Sequence, residues 1–501
     1  MRPPFRHIVT PEQERASTGI AGLDDVLGGG FPANHLYLIE GNPGAGKTTL
    51  GLQFLVSGAS NGERGLYVTL SETRIELTTV AQSHGWSLDG IEVFELVSSE
   101  GLAPDAEQSI LHPSEIELGE TVRGIMAVVE RLQPTRVVFD SLSEMRLLAQ
   151  NPLRYRRQVL ALKNFFVDRN CTVLLLDDRS SSSADQQLHS IAHGVIFLEQ
   201  AVDQYGPERR RLRVVKMRGI PFRGGEHDFN LETGGLKVFP RLVAAEYRVS
   251  TESAVVTTGT PTLDTLMGGG LPRGTNTLFI GPSGAGKTTT AISVVRAAML
   301  RGERAAYYLF DEGLASLLIR SRSLGLDVEP YLRSGQLQVI PLDPAEVSAG
   351  EFAQMVRHAV EEEQAQVVVI DSLNAYLQAM PGSKHLMLQM HELSTYLNHR
   401  NVVTITILGQ HGLLGEVRSD IDMSYLTDGI LLFRYFEARG SLLKAVSMVK
   451  SRINHHEFTI REFRLGKNGL EIGEELKDFE GVLLGATVYR GTQPLLGDDG
   501  A

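Results

Sequence analysis

The stretch Gly41-Asn42-Pro43-Gly44-Ala45-Gly46-Lys47-Thr48 decides how this chain is read. Two glycines separated by four residues, followed by Lys and Thr, form the phosphate-loop pattern. The pattern returns 240 residues later as Gly281-Pro282-Ser283-Gly284-Ala285-Gly286-Lys287-Thr288. An apolar run precedes each copy (Leu36–Ile39, Thr277–Ile280), and a helical pattern follows each (from Leu50, from Ala291). That strand–loop–helix setting suits a triphosphate. The helix start offers unpaired N–H groups and a positive dipole end, and glycines let the backbone curl close. Candidate nucleotide-binding residues are Gly44, Ala45, Gly46, Lys47, Thr48 and Thr49 in the first copy. In the second they are Ser283, Gly284, Ala285, Gly286, Lys287, Thr288 and Thr289. Lys47 and Lys287 would reach the β- and γ-phosphates of ATP, and the Thr48 and Thr288 hydroxyls would bind Mg²⁺. The alternative, a glycine-rich turn before an ordinary helix, fits poorly with two matches at equivalent places.

The copies extend well beyond the loops. Thr18-Gly19-Ile20-Ala21-Gly22-Leu23-Asp24 through Gly28-Gly29-Gly30-Phe31-Pro32 aligns without a gap on Thr258 through Pro272, again 240 residues apart. A period this long means duplicated domains rather than a solenoid. The expected domains are 1–247 and 248–501, with the boundary in the mixed polar segment Val243–Ser253. Apolar runs alternate with helical patterns through each half, which predicts an α/β fold with a doubly wound, mainly parallel sheet flanked by helices. Residues 98–120 are acidic and read as an irregular surface loop, shorter in the second copy.

Strand ends carry the remaining chemistry. Gly65–Leu70 ends in Ser71-Glu72, and Ala305–Phe310 ends in Asp311-Glu312. In open α/β sheets ligands sit beyond the carboxyl ends of the strands. Glu72 and Glu312 are therefore candidates to polarise the attacking water, against the alternative of a helix cap supplied by Ser71 or Asp311. Arg136-Val137-Val138-Phe139-Asp140 and Val367-Val368-Val369-Ile370-Asp371 place an Asp after an apolar strand, where it would hold Mg²⁺ or its water. Lys216-Met217-Arg218 and Lys450-Ser451-Arg452 lie at the end of a hairpin in each half.

The 501 residues carry a net charge of −12. This opposes broad nucleic-acid binding, which needs a basic surface. The single Cys171 excludes an internal disulfide and reads as a buried apolar residue, in keeping with a reducing cytoplasm. Met1–Thr10 has no apolar core like that of a secretory signal, and no apolar run approaches the ~18 residues of a membrane span.

The glycine lead-in, phosphate loop, strand-end acids, Asp-Ser strand and Lys-x-Arg hairpin occur in family order, twice. The chain thus resembles the KaiC family, the two-domain RecA-like ATPases of bacterial circadian clocks, from about Ser17 to about Gly485. The resemblance implies two tandem RecA-like P-loop NTPase domains, ATP and Mg²⁺ as cofactors, and a homohexamer of two stacked rings with ATP between subunits. It implies that Lys216, Arg218, Lys450 and Arg452 reach a neighbour's γ-phosphate and that Arg210 and Lys444 lie near the phosphates. It also implies serine/threonine autophosphorylation in the second domain, and KaiB-like or two-component signalling partners. Two departures stand out. The family's usual pair of glutamates is Ser71-Glu72 and Asp311-Glu312 here, and the acceptor pair is Ser424-Tyr425. Ser424 is the candidate phosphoacceptor, while interface packing is the preferred reading of Tyr425. The tail Arg490–Ala501 is short. Two other readings share the fold: a RecA-like DNA recombinase or helicase, which the acidity disfavours, and an ATP-gated scaffold with little turnover, which Ser71 favours.

Overall fold

The computed structural model describes residues 14–95, 113–149, 151–178, 185–201, 206–247, 254–378, 383–410, 424–438, 440–467, 469–484 and 487–491. It divides into two compact units, Met1–Arg241 and Leu242–Ala501. Leu242 and Ala244 are buried in the second unit's core, Tyr247 packs against it, and the Ala244 N–H donates to Glu392 at 2.8 Å.

Each unit is built on one nine-stranded sheet. In the first, five parallel neighbours run Ile91–Glu95, Gly65–Thr69, Arg136–Asp140, Thr172–Asp178 and Leu36–Gly41, and Gly194–Ala201 joins parallel to the last. Three antiparallel strands follow: Arg209–Met217, His227–Glu232 and Gly235–Phe239. The second unit repeats the order as Leu337–Pro341, Ala305–Leu309, Val367–Asp371, Val403–Gln410, Thr275–Pro282 and Gly429–Ala438. Ser441–Ser451, Arg461–Gly466 and Gly469–Glu475 complete it.

The apolar runs are continuous because both faces of the parallel strands are covered. Successive side chains point to opposite faces. Tyr37 and Ile39 join one core with Tyr67, Val138 and Leu174, on the side of the phosphate-loop helix Lys47–Ser60. Leu36 and Leu38 join a second core with Leu66, Val68 and Phe139. The second unit splits the same way, with Phe279 and Tyr307 on one face and Leu278 and Tyr308 on the other. Each such side chain, fully buried, contributes roughly 1.5–3 kcal/mol.

The glycine triplet shapes the lead-in. Gly30 and Gly270 have φ of 103° and 125°. A Cβ there would sit 2.6 Å from the Ala16 carbonyl oxygen and 2.3 Å from that of Val256, inside the short antiparallel pairs Arg15–Ala16/Phe31–Pro32 and Val255–Val256/Leu271–Pro272.

Both sheets skip one residue at the same place. The Gly194–Ala201 pairing slips between Val195 and Ile196, and the Gly429–Ala438 pairing between Ile430 and Leu431. The extra residues are Val215 and Val449, 43% and 51% exposed, each directly before the lysine of a Lys-x-Arg pair.

The expected loop over 98–120 is corrected at its end. The helix Pro113–Leu132 begins there, with proline in the first turn, where its missing N–H costs nothing. Residues 96–112 lie outside the described residues. So do Met1–Thr10, Asp422, Met423, Gly485 and most of the tail. Among the described residues no helix is long and apolar enough to cross a membrane.

Candidate nucleotide site in each half

The helices that follow the loops start at Lys47 and Lys287 with no side-chain cap. Their first-turn N–H groups are therefore left for an anion. Gly46 and Gly286 precede them at φ 99° and 112°. A Cβ on Gly286 would lie 2.5 Å from Phe463, and one on Gly46 3.3 Å from Leu231.

Both loop lysines are buried and turned onto their own loop. Lys47 Nζ donates to the Gly41 and Asn42 carbonyls at 3.1 and 3.0 Å and pairs with Asp178 at 2.8 Å. Lys287 Nζ donates to the Gly281 and Pro282 carbonyls at 2.8 and 2.7 Å. Burial pushes Lys287 down to about 8, against the pull of Asp371 and Asp311.

Beside each lysine lies an oxygen pair. Thr48 Oγ1 donates to Asp140 Oδ2 at 3.1 Å, and the Thr288 hydroxyl bonds Asp371. Burial raises both carboxyls above the usual range, despite donation from a hydroxyl and a tyrosine in each case. A hydroxyl and a buried carboxylate beside a phosphate cradle form a hard-oxygen donor set. It fits Mg²⁺ completed by phosphates and water.

Two tyrosines escaped the sequence reading. Tyr67 OH donates to Asp140 at 2.6 Å, and Tyr307 OH to Asp371 at 2.7 Å. Each stands on the adjacent strand, whose last residue is in register with the Asp. The signal was present: a tyrosine repeated at the same interval inside otherwise apolar strands.

The strand-end acids differ between halves. Glu72 is raised by burial, then by Asp140 and Glu76, and its Oε2 is buried without a hydrogen-bond donor among the described residues. Ser71 is exposed, and the following helix is capped instead by Thr73 in a reciprocal box with Glu76. In the second half Asp311 accepts a short hydrogen bond from Ser372, and Glu312 pairs with Arg320 at 2.7 Å.

In the second unit a cleft of about 630 Å³ gathers Ser283, Gly284, Gly286, Lys287, Thr288, Thr289, Asp311, Glu312, Asp371 and Lys444. Such a volume suits a nucleotide. Ala285 is buried behind it, as Ala45 is in the first unit. Arg320, Asn374 and Gln410 also line the cleft and went unnoticed in the sequence. Lys444 lies 5.8 Å from the Tyr435 ring, whose hydroxyl donates to the Ser283 carbonyl at 3.3 Å. Arg210 occupies the matching place: it is in register with Gln200, which reaches Gly44.

The Lys-x-Arg pairs are elsewhere. Lys216 is in register with Val195, at the start of a strand whose far end flanks the phosphate loop. Six residues along a strand separate it from Arg210, about 20 Å. Lys216 Nζ donates to the His189 and Ala192 carbonyls at 2.5 and 2.9 Å, and Arg218 to Ser190 at 3.0 Å. Lys450 donates to Thr427 at 2.6 Å, and Arg452 to Tyr425 at 3.2 Å. Neither Lys450 nor Arg452 lines its own cleft. The strands that carry these pairs have two neighbours only over 210–212 and 444–446, so their cationic ends are open on one side. The backbone of Ser424 lies in the short turn Ser424–Leu426, at that same sheet edge.

Sheet, loop, strand-end Asp and their repetition define a tandem RecA-like P-loop ATPase. A family model described as the KaiC ATPase matches residues 16–243 and again residues 256–477. The circadian clock oscillator protein KaiC of Parasynechococcus marenigrum (strain WH8102) is 27% identical over 498 residues, spanning 96% of this chain and 95% of its own. The protein of the same name from Prochlorococcus marinus (strain MIT 9313) is 27% identical over 487 residues, spanning 94% and 95%. The circadian clock protein KaiC3 of Synechocystis is 25% identical over 482 residues, spanning 95% of each chain. The chain belongs to the KaiC family, and its chemistry is ATP hydrolysis.

Proposed function

We propose that the chain works as a hexameric double ring that hydrolyses ATP at subunit interfaces. The second half also transfers phosphate to Ser424, and the conformation of the ring is read by signalling partners. The observation that carries this reading is the placement of cations. Each half holds its phosphate loop at one edge of the sheet and its Lys-x-Arg pair at the other, about 20 Å away. Cations so placed act on a phosphate only if it belongs to another subunit.

In this reading Lys47 and Lys287 leave their loop carbonyls for phosphate oxygens, helped by Arg210 and Lys444. Thr48 with Asp140, and Thr288 with Asp371, would hold Mg²⁺, which when bound neutralises phosphate charge. Glu72 and Glu312 take the proton of the attacking water. Lys216 and Arg218, or Lys450 and Arg452, stabilise charge on the neighbour's γ-phosphate. For transfer to Ser424, the serine oxygen bonds to γ-phosphorus as the bond to ADP breaks, and the serine proton passes to the Asp311-Glu312 pair. Ser424 shares an edge with Arg452, which supports delivery from the neighbour's nucleotide. The clock names of the relatives support a timing or signalling role, and a cytoplasmic setting with KaiB-like or two-component partners follows from it.

Subunit mixing tests the arrangement. A Lys216→Ala/Arg218→Ala/Lys450→Ala/Arg452→Ala chain and a Glu72→Gln/Glu312→Gln chain should each be nearly inactive. Mixed one to one and reassembled, they should recover about a quarter of parental phosphate release, since that share of cyclic interfaces pairs an intact base with intact cations. No recovery would place the cations in cis, and an active quadruple-alanine chain would place them outside catalysis.

A further inference from the structure

The two strand-end glutamates differ in their charged contacts. In the first unit Glu72 presents a buried Oε2 with no hydrogen-bond donor among the described residues. In the second, both oxygens of Glu312 face one guanidinium: Arg320 Nη1 donates to Oε1 at 3.0 Å, and Nη2 lies 2.7 Å from Oε2 as an ion pair without hydrogen-bond geometry. Arg320 stands in the last turn of the helix Leu314–Ser323 and faces the cleft together with Lys287, Thr288 and Asp371. The matching helix, Arg74–Ser83, has the same length of 10 residues. The repeat interval still holds there, and the residue at the place of Arg320 is Val80, which packs against the apolar core instead. The helix starts differ too. Thr73 and Glu76 cap the first, while Gly313 leaves the second without a side-chain cap.

A carboxylate acts on water through an available lone pair aimed at it. A guanidinium that donates to one oxygen and sets its positive charge against the other occupies a lone pair, restrains the plane of the group and draws charge from it. Glu312 is thus in place but committed, whereas Glu72 is in place and uncommitted at Oε2.

We propose that Arg320 is a positioning residue that clamps Glu312 within the second nucleotide cleft and withholds its carboxylate from the attacking water, so that the two halves of one chain hydrolyse ATP unequally. The inference rests on the reading of Glu72 and Glu312 as bases. It makes the second half a site that keeps its ATP longer, which suits phosphate transfer to a side chain better than loss to water.

The test uses the full chain. Glu72→Gln silences the first half, and the remaining phosphate release reports the second. In that background Arg320→Val installs the residue found at Val80. The value of kcat should rise about tenfold while KM for ATP changes less than about twofold, as expected for a group that acts on the chemical step and not on binding. Arg320→Lys, which keeps the charge without the fork, should stay near the slow rate. Conversely, in a Glu312→Gln background, Val80→Arg should slow the first half. An unchanged or lowered kcat for Arg320→Val overturns the proposal. Should that variant fail to bind a fluorescent ATP analogue, Arg320→Gln carries the same expectation. Failure of the underlying reading looks different: Glu72→Gln and Glu312→Gln combined would then leave phosphate release at the parental level.

Discussion

Arg136 opens an apolar strand yet is only 2% exposed. Its guanidinium donates to the Ser17 and Phe54 carbonyls at 2.7 and 2.8 Å, meets both oxygens of Glu63 at 2.7 and 2.8 Å, and lies 4.6 Å from the Phe54 ring. Removing it leaves two carbonyls and a carboxylate without their donor, so Arg136→Ala should destabilise the first unit by about 3 kcal/mol. Urea unfolding followed by Trp86, the only tryptophan, reads this unit. A second buried group sets a pH limit. His227 donates from Nε2 to the Arg223 carbonyl at 3.0 Å and accepts at Nδ1 from the Arg241 N–H at 2.9 Å. Burial, with Arg223 and Arg241 nearby, lowers its pKa from 6.5 to about 4. Between those values the unfolded chain binds the proton and the folded chain does not, so stability falls as pH drops through that window. The same unfolding experiment at pH 7 and pH 4.5 should differ by about 2 kcal/mol from this group alone, and His227→Gln should flatten the dependence. Neither residue was legible as structural beforehand. An arginine before a strand reads as solvated, and a histidine's neighbours are set by strands that the sequence pattern did not reveal.

Elements divide by how their burial prints on the sequence. The parallel strands were legible because covering both faces demands unbroken apolar runs, as in Leu36–Ile39 and Val367–Ile370. The phosphate loops were legible because glycine and lysine have a fixed geometric task there. Of the final antiparallel strands only the first was legible, as the second arm of a hairpin ending in Lys216-Met217-Arg218, although Arg209–Met217 buries only part of one face. His227–Glu232, which alternates polar with apolar, was not. Yet these strands back the loop, since Phe463 limits the space beside Gly286. A methyl group there would meet that ring at 2.5 Å while φ stays at 112°. Gly286→Ala should therefore cost the second half its nucleotide, lowering ATP affinity at least about tenfold, with the first half unaffected. Titration with a fluorescent ATP analogue should then show one class of site per chain where the parent shows two.

At the scale of the whole molecule, the duplication makes each half an internal control for the other. What repeats without change (lysine, threonine, aspartate, tyrosine) marks the shared chemistry. What changes (Val80 against Arg320, Asp178 against Gly409) marks where the halves divide their work. The repeated order of motifs made the shared part readable. The differing part depends on which side chains meet, as when Arg320 reaches Glu312, and an interval alone does not display that. One last consequence comes from the skipped residue at Val215 and Val449. Because strand side chains alternate, the direction of everything downstream is a matter of parity, and one unpaired valine sets whether the count is odd or even. An alanine inserted after Val449 and paired opposite Ile430 in place of Lys450 would leave every charge in the chain intact and turn Lys450 and Arg452 to the wrong side of the sheet. Such a chain should still hold ATP on its Lys287 loop, yet fail to rescue a Lys450→Ala/Arg452→Ala partner in the second half. The arithmetic of one strand would decide whether two molecules can cooperate.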